Sequence, residues 1–81
     1  MDFKIRAGAR VVGLKQSLRA IRDGLAAEVY LADDAQQSVR TPVLNLCAEK
    51  GIEPVHVPTM ASLGKACGIS VGASVAVSLK N

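Results

Sequence analysis

Lys15, Gln16 and Arg19 follow directly on Gly13 and Leu14, and Arg22 extends the row. A glycine at such a point lets the chain turn tightly from strand into helix. That leaves free backbone N–H groups and the positive end of a helix dipole at the surface, a combination that attracts phosphate. Lysine and arginine add charge and directional donors. Glutamine carries a donor and an acceptor on one planar amide, which suits the edge of a nucleic-acid base. The same residues also describe the solvated polar face of an ordinary amphipathic helix, and charge alone does not choose between the two readings.

A second segment, Gly64-Lys65-Ala66-Cys67-Gly68-Ile69-Ser70-Val71-Gly72, sets branched aliphatics among glycines. Ile69 and Val71 with Ser70 between them should reach the surface, where they could pack against an unstacked base. The alternative is that both simply plug the end of the core. Aromatic side chains are nearly absent, Phe3 and Tyr30 being the two in the chain. That excludes the stacking platforms of RNA-recognition motifs, OB-folds and cold-shock domains. Any RNA recognition must then work through shape and a few base edges, with phosphate contacts adding affinity.

The sequence is poor in catalytic groups. His56 is the sole histidine, lies between Pro54 and Pro58, and has no carboxylate at a spacing that would pair with it. Cys47 and Cys67 occupy apolar helical positions, where thiols are usually inert. With His56 they lack the spacing and the fourth ligand of a zinc site. The reading is a non-enzyme with no catalytic residue, no metal and no cofactor.

The elements that must position these groups emerge from the hydrophobic pattern. Eighty-one residues suffice for one domain, expected over 1–81, and 49% of them are apolar. Arg10-Val11-Val12 reads as a short strand stopped by Gly13. Leu14, Leu18, Ile21 and Leu25 then fall at helical spacing, with Gly24 as a left-handed cap. A strand comes next, from Glu28 to Ala32, and Asp33 or Asp34 offers an N-cap for a helical turn through Val39. Thr41-Pro42 restarts a helix that Gly51 ends. Val55-His56-Val57 is a strand, Thr59 caps a short helix closed by Gly68, and Ala73 to Leu79 is the last strand. Met1 to Ala9 is ambiguous, with one helical turn turning Phe3 and Ile5 inward as the simplest reading. Alternating strands and helices predict an α/β fold, a three-layer α/β/α sandwich around a mixed sheet of about four strands.

The formal charge of +3 is unevenly spread. Met1 to Gly24 sums to +4, Leu25 to Glu53 to −3 and the remainder to +2. One attracting face and one that does not attract is the footprint of a polyanion partner, and equally the surface of a slightly basic protein. The run Val71 to Leu79 is too short and too interrupted for a membrane span, and the absence of a secretory signal with unpaired cysteines points to the cytoplasm.

Taken together, three segments resemble the L7Ae/L30e superfamily of ribosomal and kink-turn-binding proteins: Val11 to Gly24, Leu46 to Val55, and Leu63 to Ala73. Their order and spacing fit from about Ala9 to Leu79, and the match is to the small bacterial, YbxF-like branch. The resemblance implies a monomeric sandwich that binds the kink-turn, an RNA bend made by a bulge beside tandem sheared G·A pairs. Duplex RNA hides its major groove, and a kink opens it to a helix end. By motif position, Gly13, Lys15 and Gln16 would lie against the sheared pairs and Arg19 would meet the backbone or the bulge. Ile69, Ser70 and Val71 would cover the extruded nucleotide, while Arg22 and Lys65 add charge. Archaeal and eukaryotic members carry Asn-Glu where this chain has Lys15-Gln16, and the bacterial branch resembles this chain there. Leu14 stands where a threonine is common, which removes a possible hydroxyl contact. The function so implied is non-catalytic binding of ribosomal or another structured RNA. The alternative is an adaptor that docks on a ribosomal or RNA-processing complex through its acidic middle segment.

Overall fold

The computed structural model describes residues 10–80. They form seven elements: β1 (Arg10–Val12), α1 (Leu14–Arg22), β2 (Ala26–Ala32), α2 (Gln37–Lys50), β3 (Val55–Val57), α3 (Met60–Ala66) and β4 (Val75–Leu79). The expected turn around Phe3 and Ile5 lies outside the described residues. The four strands make one mixed sheet in the order β1-β4-β2-β3. β4 runs antiparallel to both β1 and β2, whereas β3 runs parallel to β2, as the crossover through α2 requires.

Strand alternation divides the core in two. Val29 and Leu31 of β2 with Val75 and Val77 of β4 face Ala20 and Ile21 of α1 and Val43 and Cys47 of α2. Ala32, Val57 and Ala76 face the other way, against Leu63 and Cys67. The result is the expected three-layer sandwich, with α1 and α2 on one face and α3 on the other. Its fully buried Ile, Leu and Val side chains each contribute about 2 kcal/mol through removal from water.

Three details depart from the expected pattern. In α1, Ser17, Ala20 and Ile21 are buried, Leu14 and Leu18 are half-buried, and Leu25 is exposed beyond the helix end. Small side chains at 17 and 20 let α1 press closely on its neighbours, so the buried face centres on Ser17, Ala20 and Ile21, with Leu14 and Leu18 packed at its edge. In α2, the expected turn and the restarted helix are one continuous helix with Pro42 inside it. Proline supplies no N–H for the Ser38 carbonyl, but Val43 and Cys47 become wholly buried only if the helix continues. Burial outweighs the local preference. Finally, Asp34 caps a different helix: its carboxylate accepts from the Met60 N–H at 2.7 Å, while α2 starts at Gln36 with no side-chain cap. Thr59 is the expected cap of α3, accepting from the Ser62 N–H at 3.0 Å.

Candidate RNA interface

Gly13 connects β1 to α1. Its backbone stands at φ 106° and ψ 160°, a region that side chains avoid. Its carbonyl accepts the first helical bond from the Ser17 N–H at 3.0 Å. No side chain caps this end of α1, and no acidic residue stands in its first turn. The terminal N–H groups therefore keep their positive field unopposed. Gln16 folds back so that its Oε1 lies over Gly13, where a Cβ would meet it at 3.3 Å.

Lys15, Gln16 and Arg19 line one shallow, open depression on this end of α1. All three are exposed, and so is Arg22. Lys15, Arg19 and Arg22 stand at i, i+4 and i+7, one face of the helix over about 10 Å of its axis. Among the described residues the one contact of a basic side chain with a carboxylate is that of His56 with Asp33, so these cations are not neutralised by carboxylates. Leu14 is half-buried against the α1–α2 core and anchors the helix.

The second segment is drawn to the same end of the sheet. The Gly13 N–H donates to the Val75 carbonyl at 3.0 Å, tying the start of α1 to the residue where the loop after α3 enters β4. That loop lies tightly on α3. The Ala73 N–H donates to the Met60 carbonyl at 2.9 Å and the Ile69 N–H to the Gly64 carbonyl at 3.1 Å. The Val71 carbonyl presses so closely on Gly64 that no Cβ could stand there. The two readings of the aliphatic pair divide between the residues. Ile69 is half-buried against the α3-side core, whereas Val71 is 69% exposed and Ser70 is also in solvent. Lys65 is exposed on α3, across the sheet from α1.

Two relationships lay beyond the reach of spacing. Arg10 Nη2 donates to the Cys67 carbonyl at 2.6 Å, across 57 residues of chain. His56 does have a carboxylate partner, since its Nδ1 lies 3.1 Å from Asp33 Oδ1, both side chains being half exposed. The parallel pairing of β2 with β3 creates this contact by setting Leu31 beside His56 and Ala32 beside Val57. Cys47 and Cys67 are buried free thiols. Burial pushes both thiols above their ordinary range, and at Cys67 the nearby Arg10 guanidinium opposes that shift. Among the described residues no cluster of His, Cys, Asp or Glu could hold a metal ion. No helix there is long and apolar enough to cross a membrane.

A glycine-led helix end and an aliphatic loop thus meet at one end of a three-layer sandwich, and comparison with known proteins shows the family to which such a chain belongs. The model of the ribosomal protein L7Ae/L30e/S12e/Gadd45 family matches residues 3–81, and the chain belongs to that family. The family is non-catalytic, and this chain is not an enzyme. An RNA-binding protein of Caldanaerobacter subterraneus subsp. tengcongensis is 48% identical over 67 residues, 83% of this chain and 82% of that protein. RNA-binding protein YbxF of Geobacillus stearothermophilus is 38% identical over 76 residues, 94% of this chain and 93% of that one. Among solved structures, the 15.5kD RNA binding protein of Giardia lamblia superposes with a TM-score of 0.83 at 30% identity, covering 90% of this chain and 62% of that one.

Proposed function

We propose that this protein binds structured RNA at a kink-turn, using the N-terminal end of α1 and the Ile69–Gly72 loop as one surface. The observation that carries the reading is the Gly13–Val75 hydrogen bond, which joins the uncapped, cationic helix end to the start of the strand into which the loop runs. Likeness to proteins described as RNA-binding supports it. Gly13 gives the RNA close access to the backbone, Lys15 and Gln16 meet base edges in the groove that the kink opens, and Arg19 meets the backbone or bulge. Val71 and Ser70 cover the extruded nucleotide, and Ile69 supports them from the core side. Arg22 and Lys65 add long-range attraction. The chain acts as a single domain and a monomer, without cofactor, on ribosomal or another structured RNA in the cytoplasm.

A gel shift against a standard kink-turn and the same RNA lacking its G·A pairs tests this directly. Tight binding to the first and weak binding to the second is the expected result. Equal affinity for both would refute kink recognition.

A further inference from the structure

Arg10 opens the strand that Gly13 ends, and it projects toward the α3 side of the sheet, the side on which Val12 packs. Its guanidinium is committed at 2.6 Å to the carbonyl of Cys67, the residue that caps the C-terminal end of α3. That carbonyl sits at the negative end of the helix and immediately before the Gly68 reversal, where a cation is favoured and a charge-assisted bond is strong. Arg10 Nε is buried without a partner. Its side chain is therefore held in the protein, and its charge is not freely offered to solvent as those of Lys15 and Arg19 are.

The hold on Cys67 bears on the loop that leaves it. The loop is fastened at its far end by Ala73 to Met60, by Ala32 to Ser74 and by Gly13 to Val75. At its near end the turn is closed by bonds back onto α3, from Gly68 to Lys65 and from Ile69 to Gly64. Cys67 and Ile69 also pack on the α3-side core, and among the described residues Arg10 adds the hydrogen bond that joins this near end to the sheet. One three-residue strand thus holds the recognition helix at Gly13 and the loop at Cys67. We infer that Arg10 is a positioning residue, which sets the Ile69–Gly72 loop against the start of α1 so that both meet one RNA. This rests on the RNA-binding reading.

Arg10→Met keeps the aliphatic stem and removes the donor. In the RNA-free protein, amide hydrogen exchange at Ile69, Val71 and Ala73 should quicken while Val29 and Leu31 in β2 stay protected. With a kink-turn RNA, affinity should fall about tenfold or more, the equivalent of one charge-assisted hydrogen bond. The loss should vanish on an RNA made abasic at the extruded position. The slope of log affinity against log salt should not change, because no phosphate contact is removed, whereas a direct contact would lower it by about 0.7 to 0.9. Unchanged exchange in the loop, or a lowered salt slope, overturns the inference. Failure of the wild-type chain to bind any kink-turn would instead remove the functional reading, and the exchange measurement would still decide whether Arg10 holds the loop. Should Arg10→Met unfold the chain, Arg10→Gln, a shorter neutral donor, is read by the same exchange and salt measurements.

Discussion

The Val71 carbonyl lies directly against Gly64, in the space that any larger residue's Cβ would need. This contact presses the loop onto α3 while leaving the Val71 side chain in solvent. Gly64→Ala should therefore force α3 and the loop apart and cost about 1 to 3 kcal/mol. In a chain of 81 residues that lowers Tm by roughly 4 to 8 °C for each kcal/mol. Val71→Ala should change stability by no more than about 0.5 kcal/mol, as exposed substitutions do, and still weaken RNA binding. Thermal unfolding of the two variants side by side checks this; a Gly64→Ala protein as stable as wild type would show that the loop is not held by close packing.

Much of this arrangement is written locally. Gly13, Thr59 and the apolar run of β4 declare themselves by residue type, and so the order of elements and the cationic start of α1 are legible in the sequence. Contacts between distant segments decide the features that escape a local reading. Pro42 argues against a continuous helix until the burial of Val43 and Cys47 is known. Asp34 looks like a cap for the helix just after it, yet the parallel β2–β3 pairing brings it to α3. His56 finds Asp33, and Arg10 finds Cys67, only because the sheet order sets them side by side. Ile69 and Val71 are alike in sequence, and only the close approach at Gly64 assigns one to the core and the other to the surface.

Recognition of base edges should depend on Lys15 and Gln16, which share the depression at the start of α1. The double variant Lys15→Ala, Gln16→Ala should lose its preference for a kink-turn over plain duplex, with each lost contact worth about 1 to 3 kcal/mol. Because both side chains are exposed, circular dichroism and Tm should remain those of wild type. Retained discrimination in a gel shift would remove these two residues from the site.

Arg19 lines that depression too and Arg22 continues the cationic face beyond it, both without carboxylate partners among the described residues. Arg19→Ala and Arg22→Ala should weaken binding to the kink-turn and to its mutant by similar factors. Each should lower the salt slope by about 0.7 to 0.9 if it meets one phosphate. Fluorescence anisotropy titrations across a range of salt concentrations give the slope, and a variant with full affinity and an unchanged slope would have no phosphate contact.

Stability should decline in alkali. Burial raises the Cys47 and Cys67 thiols above the ordinary value of 9.0, and burial likewise raises Tyr30 above 10.0, with Glu28 adding to the shift. These groups are neutral when protonated, so the folded chain keeps their protons to higher pH than the unfolded chain does. Their contribution is complete below the unfolded values and is lost as pH rises through those and then the folded values. Urea unfolding at about pH 7 and about pH 10 should show a lower midpoint at the higher pH, and replacing both cysteines by alanine should reduce the difference. An equal fall in the double variant would assign the alkaline loss to other groups.

Ser17 makes the opposite kind of prediction, a gain. It is fully buried in α1, and its Oγ has no hydrogen-bond partner. An unpaired buried hydroxyl costs about 1 to 3 kcal/mol, and alanine also has the higher helix propensity. The cavity left by one oxygen is small, so Ser17→Ala should raise stability by about 0.5 to 2 kcal/mol. Ser17 points into the sandwich while Lys15, Gln16 and Arg19 point out, so RNA affinity should not move. A destabilised Ser17→Ala protein would mean that the hydroxyl has a partner in solution, and an ordered water bridging it to a neighbouring carbonyl would then be the group to seek.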